Sequence, residues 1–139
     1  DVLGKNVVHV GEHGAGQVVK ACNQVVISLT FEGVAEAILL ARKNGVDPLK
    51  MREALLGGYA GSKILEVHGL RMLNADYKPG FKVKLHHKDL GIVMDNAAEN
   101  HVPLPGTALV AQQIAALMAA GDGELDSSAI MLALERLAG

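Results

Sequence analysis

One lysine and two amide side chains lie close together near the head of a long apolar segment. Asn23 and Gln24 follow Lys20 by three and four residues, just after a glycine-rich stretch at residues 11–16. In an α-helix these spacings place all three side chains on one face. An ammonium group there can stabilise negative charge on a substrate oxygen and supply a proton, and amides can hold a small polar acid. We therefore expect chemistry at this face.

Each of these residues also has a structural interpretation. Lys20 could extend its ammonium group into solvent from the first turns of the helix. Asn23 and Gln24 could form a helix cap or a structural hydrogen bond. Further along the chain, Lys84 and Lys88 are four residues apart and could form one solvated face. Phe81, which follows a Pro-Gly turn, could belong to the core.

The glycine-rich stretch is similar to a dinucleotide-binding fingerprint, but its glycines stand in a different order. The chain reads Gly-x-x-Gly-x-Gly at 11–16, whereas the Rossmann signature is Gly-x-Gly-x-x-Gly within a βαβ unit, with an acidic residue about 20 residues later. Glu36 has roughly that offset from Gly16, but it lies inside the apolar segment. We interpret Gly14 and Gly16 instead as positions where the chain turns sharply and leaves room beside a helix start.

The composition favours a helical domain. The chain has 139 residues, half of them hydrophobic, but only two Phe, two Tyr and no Trp. A core built from Leu, Ile, Val, Ala and Met is typical of packed helices. A net charge of -2, without a basic run, argues against nucleic acid and anionic membranes as partners. Glu, Lys or Arg interrupts the long apolar runs, so we expect no membrane span.

Cysteine and histidine usage excludes two further classes of site. Cys22 is the single cysteine, so no intrachain disulfide can form. We expect it to be a small buried hydrophobe in a protein of the reducing cytoplasm. The six histidines do not show the spacing of metal ligands, since His86 and His87 are adjacent and point about 100° apart on a helix. We therefore expect no metal site.

The apolar periodicity predicts one short strand followed by about six helices. The strand is expected at residues 7–10, and the longest helix, at 17–43, should be the buried centre of the domain over residues 25–41. Expected N-caps are Asp47, Ser62 and Ser127. The remaining helices are predicted from residue 48 to the glycines at 57–58, and at 62–73, 84–100, 107–120 and from 127 onwards.

The predicted strand is too short to be stable without a sheet to join. We therefore expect residues 1–12 to be the tail of a preceding α/β domain, and residues 13–139 to form an all-helical domain.

In combination, the motifs resemble those of the β-hydroxyacid dehydrogenase family. The resemblance lies in the glycines at 11–16 with Lys20 and Asn23, in the Lys-Asp-Leu sequence at 88–90, and in the Pro-Gly-Phe turn at 79–81. Within the family, the stretches at 57–62 and 85–90 are most similar to those of reductases that act on tartronate semialdehyde.

This resemblance implies an all-α bundle around one long central helix, the C-terminal domain of a 6-phosphogluconate-dehydrogenase-like enzyme, following a Rossmann NAD(P)-binding domain. Functional residues implied by it are Lys20 as the catalytic general acid, Asn23, Gln24, Gly14 and Gly16 at the substrate, and Lys88 and Phe81 at the cofactor.

The activity implied is the NAD(P)H-dependent reduction of tartronate semialdehyde to D-glycerate. Separately, the apolar segment at 25–41 needs more cover than about five short helices can supply, so we expect a homo-oligomer. We expect this chain alone to be inactive, because the phosphate-binding glycine loop of a Rossmann unit is not in it. A 3-hydroxyisobutyrate dehydrogenase-type enzyme is an alternative. A catalytically silent helical interaction module is another, and there Lys20 would be dispensable.

Overall fold

The computed structural model describes residues 9–139, and its regular elements are helices. A π-helical turn at Ile64–His68 leads into α3, and a 3-10 turn at Ser127–Ala129 leads into α6. The α-helices are α1 (Ala15–Lys43), α2 (Pro48–Leu56), α3 (Gly69–Leu73), α4 (Val83–Glu99), α5 (Pro105–Ala119) and α6 (Ile130–Ala138). These elements confirm the predicted all-α bundle. Residues 1–8, which include half of the predicted strand at 7–10 and most of the predicted domain tail at 1–12, lie outside the described residues. The other half of the predicted strand, His9 and Val10, is described and does not form a strand.

The long helix α1 is the centre of the bundle, and the five other α-helices all pack against it. Phe31, Ala35 and Ile38 lie on its buried face. The prediction that residues 25–41 are buried holds only for this stripe, because Val26 and Leu40 are exposed on other faces. A helix whose neighbours do not surround it buries only the residues that recur every three or four positions.

Contrary to expectation, the charged residues of α1 are too few to exclude a membrane span by composition. By length and composition alone the helix could cross a membrane, although 44% of its most apolar stretch is buried inside the bundle. It also carries a buried acid: the Glu32 carboxylate accepts a 2.8 Å hydrogen bond from Gln113 Nε2 on α5. Burial raises the pKa of Glu32 above its usual value. These contacts are those of a core helix.

The ends of the first two helices follow their local sequence. Helix α1 begins two residues earlier than predicted, after Gly14, whose φ of 93° is a left-handed conformation that favours glycine. It ends at Asn44, followed by Gly45 with φ of 70°, as predicted. Asp47 caps α2 as predicted, since its side chain accepts a 2.9 Å hydrogen bond from the Leu49 amide.

Of the two predicted serine caps, one is confirmed and one is wrong. Ser62 Oγ accepts a 3.0 Å hydrogen bond from the Leu65 amide at the start of the π-helical turn. Ser127 is not a cap, because its hydroxyl donates to the Phe81 carbonyl at 2.9 Å. Asp126 caps this turn instead, in the extended conformation typical of an N-cap residue.

The fully buried Asp126 carboxylate joins three distant parts of the chain. Its Oδ2 accepts hydrogen bonds from the Gly80 and Phe81 amides and lies 3.0 Å from Arg71 Nη1. Its Oδ1 accepts hydrogen bonds from the amide and the hydroxyl of Ser128. Burial alone would raise the pKa of Asp126, but these hydrogen bonds outweigh it and hold the pKa below its usual value. The carboxylate therefore stays ionised while buried.

Asp126 also determines where α4 begins. Lys82 forms an isolated antiparallel bridge with Asp126, and the Val83 amide donates to the Leu125 carbonyl at 2.8 Å. The loop before α4 is therefore attached to the turn before α6 on both sides of the buried carboxylate.

We expect Asp126→Asn to lower the free energy of unfolding by about 3 kcal/mol, because it leaves Arg71 without its buried counter-charge. Urea denaturation at neutral pH measures this change. The control is Glu124→Gln, two residues away, which removes an exposed carboxylate bound to Lys82 and Lys84 and should change the midpoint little. Equal effects of the two substitutions would contradict the central role of Asp126.

Candidate active site

Lys20 and Gln24 line one small pocket between the first turns of α1 and the middle of α4. The pocket measures about 50 Å³, which is room for about one or two water molecules. Its wall on α1 consists of Gln17, Lys20, Ala21 and Gln24, and its wall on α4 consists of Asp89, Ile92 and Val93. Two of the predicted site residues are therefore brought together.

The Lys20 side chain is exposed at the rim of this pocket. Within residues 9–139 no carboxylate lies close enough to pair with it. A cation without an ion pair, beside a concave surface, is available to an anionic or polarised ligand.

Gln24 is hydrogen-bonded across the pocket. Its Nε2 donates to Asp89 Oδ2 at 2.8 Å, a bond between residues 65 positions apart in the sequence. Gln24 therefore forms the structural hydrogen bond that is one of its sequence-based interpretations.

Asp89 is the site residue that the sequence analysis missed. A signal for it exists in α4, where His86, Leu90, Val93 and Ala97 form the buried stripe. Asp89 lies at the edge of that stripe and is itself half-buried. An acidic residue at an inward-facing position requires a hydrogen-bond donor opposite it, and a donor on α1 is the natural candidate.

Asn23 and Lys88 lie outside the pocket walls. Both side chains are exposed, and each is the sequence neighbour of a residue in the Gln24–Asp89 pair. Lys88, like Lys20, forms no ion pair among residues 9–139. The other lysine of its predicted solvated face, Lys84, is bound to Glu124.

The two glycines predicted at the substrate have different local requirements. Gly14 needs its left-handed backbone, so a side chain there would be strained. Gly16 is helical, and a Cβ atom added to it would contact nothing within 4 Å in the described part of the chain. Space beside the helix start is therefore open at Gly16.

Phe81 lies at the approach to α4 and is 37% exposed, so it is only partly a core residue. Its ring centroid is 5.9 Å from that of His86. His86 is 1% exposed, and neither of its ring nitrogens has a hydrogen-bond partner within residues 9–139. Burial lowers the pKa of His86 to about 4. A neutral buried imidazole therefore lies beside the Phe81 ring, tilted by 49° to it.

Two other sequence predictions concern the burial of Cys22 and the grouping of possible metal ligands. Cys22 is exposed rather than buried, because it lies off the buried stripe of α1. Among the described residues, no three His, Cys, Asp or Glu side chains are grouped as they would be around a metal ion.

Known proteins similar to this chain belong to one group of oxidoreductases. A family model described as "NAD-binding of NADP-dependent 3-hydroxyisobutyrate dehydrogenase" matches residues 14–134. The 2-hydroxy-3-oxopropionate reductase of Escherichia coli is 45% identical over 138 residues, which cover 99% of this chain and 47% of that protein. The 3-hydroxyisobutyrate dehydrogenase of Pseudomonas aeruginosa is 36% identical over 138 residues, covering 92% of this chain and 46% of that protein.

Solved structures of similar proteins have the same fold. The 3-hydroxyisobutyrate dehydrogenase of Salmonella typhimurium matches with a TM-score of 0.85 at 29% identity, over 91% of this chain and 45% of that one. The corresponding enzyme of Mycobacterium tuberculosis, in a structure with L-serine, matches with a TM-score of 0.82 at 33% identity, over 93% and 46%. The chain thus spans about half the length of the relatives it matches.

The buried imidazole of His86 should make the fold sensitive to acid. Its folded-state pKa of about 4 lies below the ordinary value of 6.5, so the unfolded chain binds the proton first as the pH falls. The free energy of unfolding should therefore decrease by about 3 kcal/mol between about pH 6.5 and pH 4. Thermal or urea unfolding across this range measures the slope.

His86→Leu should remove this acid-sensitive component, whereas His87→Leu, at the exposed neighbouring position, should keep it. If the slope above pH 4 survives in His86→Leu, other groups cause the acid sensitivity.

Proposed function

We propose, because the chain belongs to the 3-hydroxyisobutyrate dehydrogenase family of NAD-binding proteins, that the complete protein is an NAD(P)-dependent oxidoreductase of small 3-hydroxyacids or their semialdehydes. The observation that carries this proposal is the Lys20 ammonium, which forms no ion pair with residues 9–139, at the rim of the pocket between α1 and α4. It stands at the position that the resemblance assigns to the general acid.

We further propose tartronate semialdehyde as the substrate and D-glycerate as the product. The 45% identity to a 2-hydroxy-3-oxopropionate reductase supports this choice over a 3-hydroxyisobutyrate dehydrogenase-type activity, for which the identity is 36%. The two substrates differ in small substituents, so a comparison of kcat/KM for the two in the complete protein decides between them.

The proton chemistry follows from the groups on α1. When hydride reaches an aldehyde carbon, negative charge develops on the carbonyl oxygen, and an ammonium group within hydrogen-bond distance stabilises that charge and supplies the proton. Lys20 takes this role. Asn23, on the same side of the helix, orients the substrate through its amide. The open space at Gly16 leaves room for the substrate beside them.

The pocket is too small to hold the reactants by itself. Its volume of about 50 Å³ is far below the roughly 300 to 1,000 Å³ of ordinary ligand sites. We propose that it forms the floor of a cleft completed by a Rossmann domain, of which residues 1–12 are the tail, and that residues 13–139 are inactive alone.

The cofactor itself, NAD(P)H, supplies the hydride. Two features of this chain suit its neighbourhood: Lys88 offers an exposed unpaired cation for a phosphate or ribose, and Phe81 offers a partly exposed ring. A reducing, cytoplasmic location, which we also propose, is compatible with the exposed thiol of Cys22.

We expect Lys20→Ala in the complete protein to lower kcat for tartronate semialdehyde by at least about a hundredfold, the usual loss for a general acid. NAD(P)H binding, measured by titration, should change little. Lys50→Ala is the matched control, because Lys50 is an exposed lysine on α2. Near-normal turnover of Lys20→Ala would remove this residue from the mechanism and favour a silent interaction module.

We also propose that the protein is a homo-oligomer whose copies meet at a groove between the second half of α1 and α6. The groove has a volume of about 730 Å³ and is lined mainly by Leu and Ala side chains. Leu40 and Leu137 at this groove are 67% and 76% exposed. Leucines so exposed on adjacent helices are typical of a surface that a second copy covers.

Light scattering of the protein at micromolar concentration should therefore report a dimer or larger, with an obligate interface of about 2,000 Å² or more. Leu40→Lys should shift the protein towards monomer. Leu49→Lys on α2, where the leucine is also exposed, is the control and should not. A stable wild-type monomer would overturn this proposal.

A further inference from the structure

We propose that Gln24 is a positioning residue which binds the Asp89 carboxylate and thereby keeps it from pairing with the Lys20 ammonium. This inference rests on the proposed function, because it concerns the lysine that the proposal makes the general acid. It assigns Gln24 to another side chain of the protein rather than to the substrate.

The argument begins with which groups share the pocket. Among the described residues, Lys20 and Asp89 are the only titratable ones in its walls, one on each side. Opposite charges placed so close normally form an ion pair, yet these two lie farther apart than the 4.0 Å limit of an ion pair. Gln24 lies one helical turn after Lys20, and its amide makes the 2.8 Å bond to Asp89.

A half-buried carboxylate needs a donor, because leaving it unpaired costs free energy. Gln24 Nε2 meets that need with a neutral group. If the amide were absent, the remaining side-chain donors in the pocket walls would be Lys20 and Gln17. Of these, the ammonium forms the stronger bond with a carboxylate because the bond is charge-assisted.

Such an ion pair would interfere with the reaction in two ways. The carboxylate would compete with an anionic substrate for the ammonium group. It would also stabilise the protonated amine, so the proton would be donated less readily. The neutral amide of Gln24 avoids both effects while still attaching α4 to α1.

The other charged groups near Lys20 do not replace Asp89 in this role. On α4, Lys88 is a cation and His86 is buried, and the exposed His87 lies between them. Before α1, Glu12 and His13 are exposed and lie outside the pocket walls. Asp89 is therefore the carboxylate that the pocket geometry offers to Lys20.

The test is a double-mutant cycle in the complete protein, read as pH profiles of kcat/KM for the semialdehyde substrate. Gln24→Leu should free the carboxylate, lower kcat/KM by about tenfold, mainly through KM, and move the alkaline limb of the profile up by about one pH unit. Asp89→Asn alone should cost less than Gln24→Leu, because an amide at 89 does not compete for the ammonium group.

The decisive variant is Gln24→Leu combined with Asp89→Asn. We expect it to recover most of the lost kcat/KM and to return the alkaline limb to its wild-type position. If the double variant stays as impaired as Gln24→Leu, Gln24 acts on the substrate directly and the inference is wrong. An unmoved alkaline limb in Gln24→Leu also overturns it. Failure of the proposed function itself is distinguishable, because Lys20→Ala would then retain turnover.

Discussion

The buried Asp126 carboxylate is the contact on which the arrangement of the candidate site depends. It is fully enclosed, yet hydrogen bonds from backbone amides and from Ser128, together with Arg71, keep it ionised. Because it binds the backbone just before α4 and caps the turn before α6, it fixes the start of α4 in position and direction. The rest of α4 follows as a rigid helix, and this determines which of its residues face α1 some nine residues later.

The lysines around the start of α4 are of two kinds: some are bound by a carboxylate and others are not, among the described residues. Lys82 and Lys84 are both bound by Glu124, whose pKa these bonds lower to about 2. One turn further, Lys88 lacks such a carboxylate among the described residues, and across the pocket so does Lys20. Lys82, just before α4, and Lys84, in its first turn, thus bind the loop that carries Glu124, whereas Lys88 is left available for a ligand.

Much of the fold follows from local sequence, because helices and their caps are decided by residues a few positions apart. The periodicity of α4, the αL stop of α1 at Gly45 and the Asp47 cap are all of this kind. The residue type of Cys22 favours burial, but its register on α1 places it off the buried face: counting back from Ser28 by three and four residues leads to Gln24, Val25 and Ala21. The Gln24–Asp89 bond and the Asp126 contacts join residues 45 to 65 positions apart. No local pattern specifies such pairs.

The length of α1 has a mechanical consequence. Its 29 residues form a rod of about 43 Å. The pocket lined by Lys20 and Gln24 lies near one end of this rod, and the groove between α1 and α6 lies near the other. Lys20 lies about 13 Å from the midpoint of the rod, so a tilt of about 4° displaces its backbone by about 1 Å. Catalytic geometry tolerates displacements of that size poorly. If Lys20 is the general acid proposed above, a partner that binds firmly in the distant groove would also fix the angle at which its ammonium group meets the substrate.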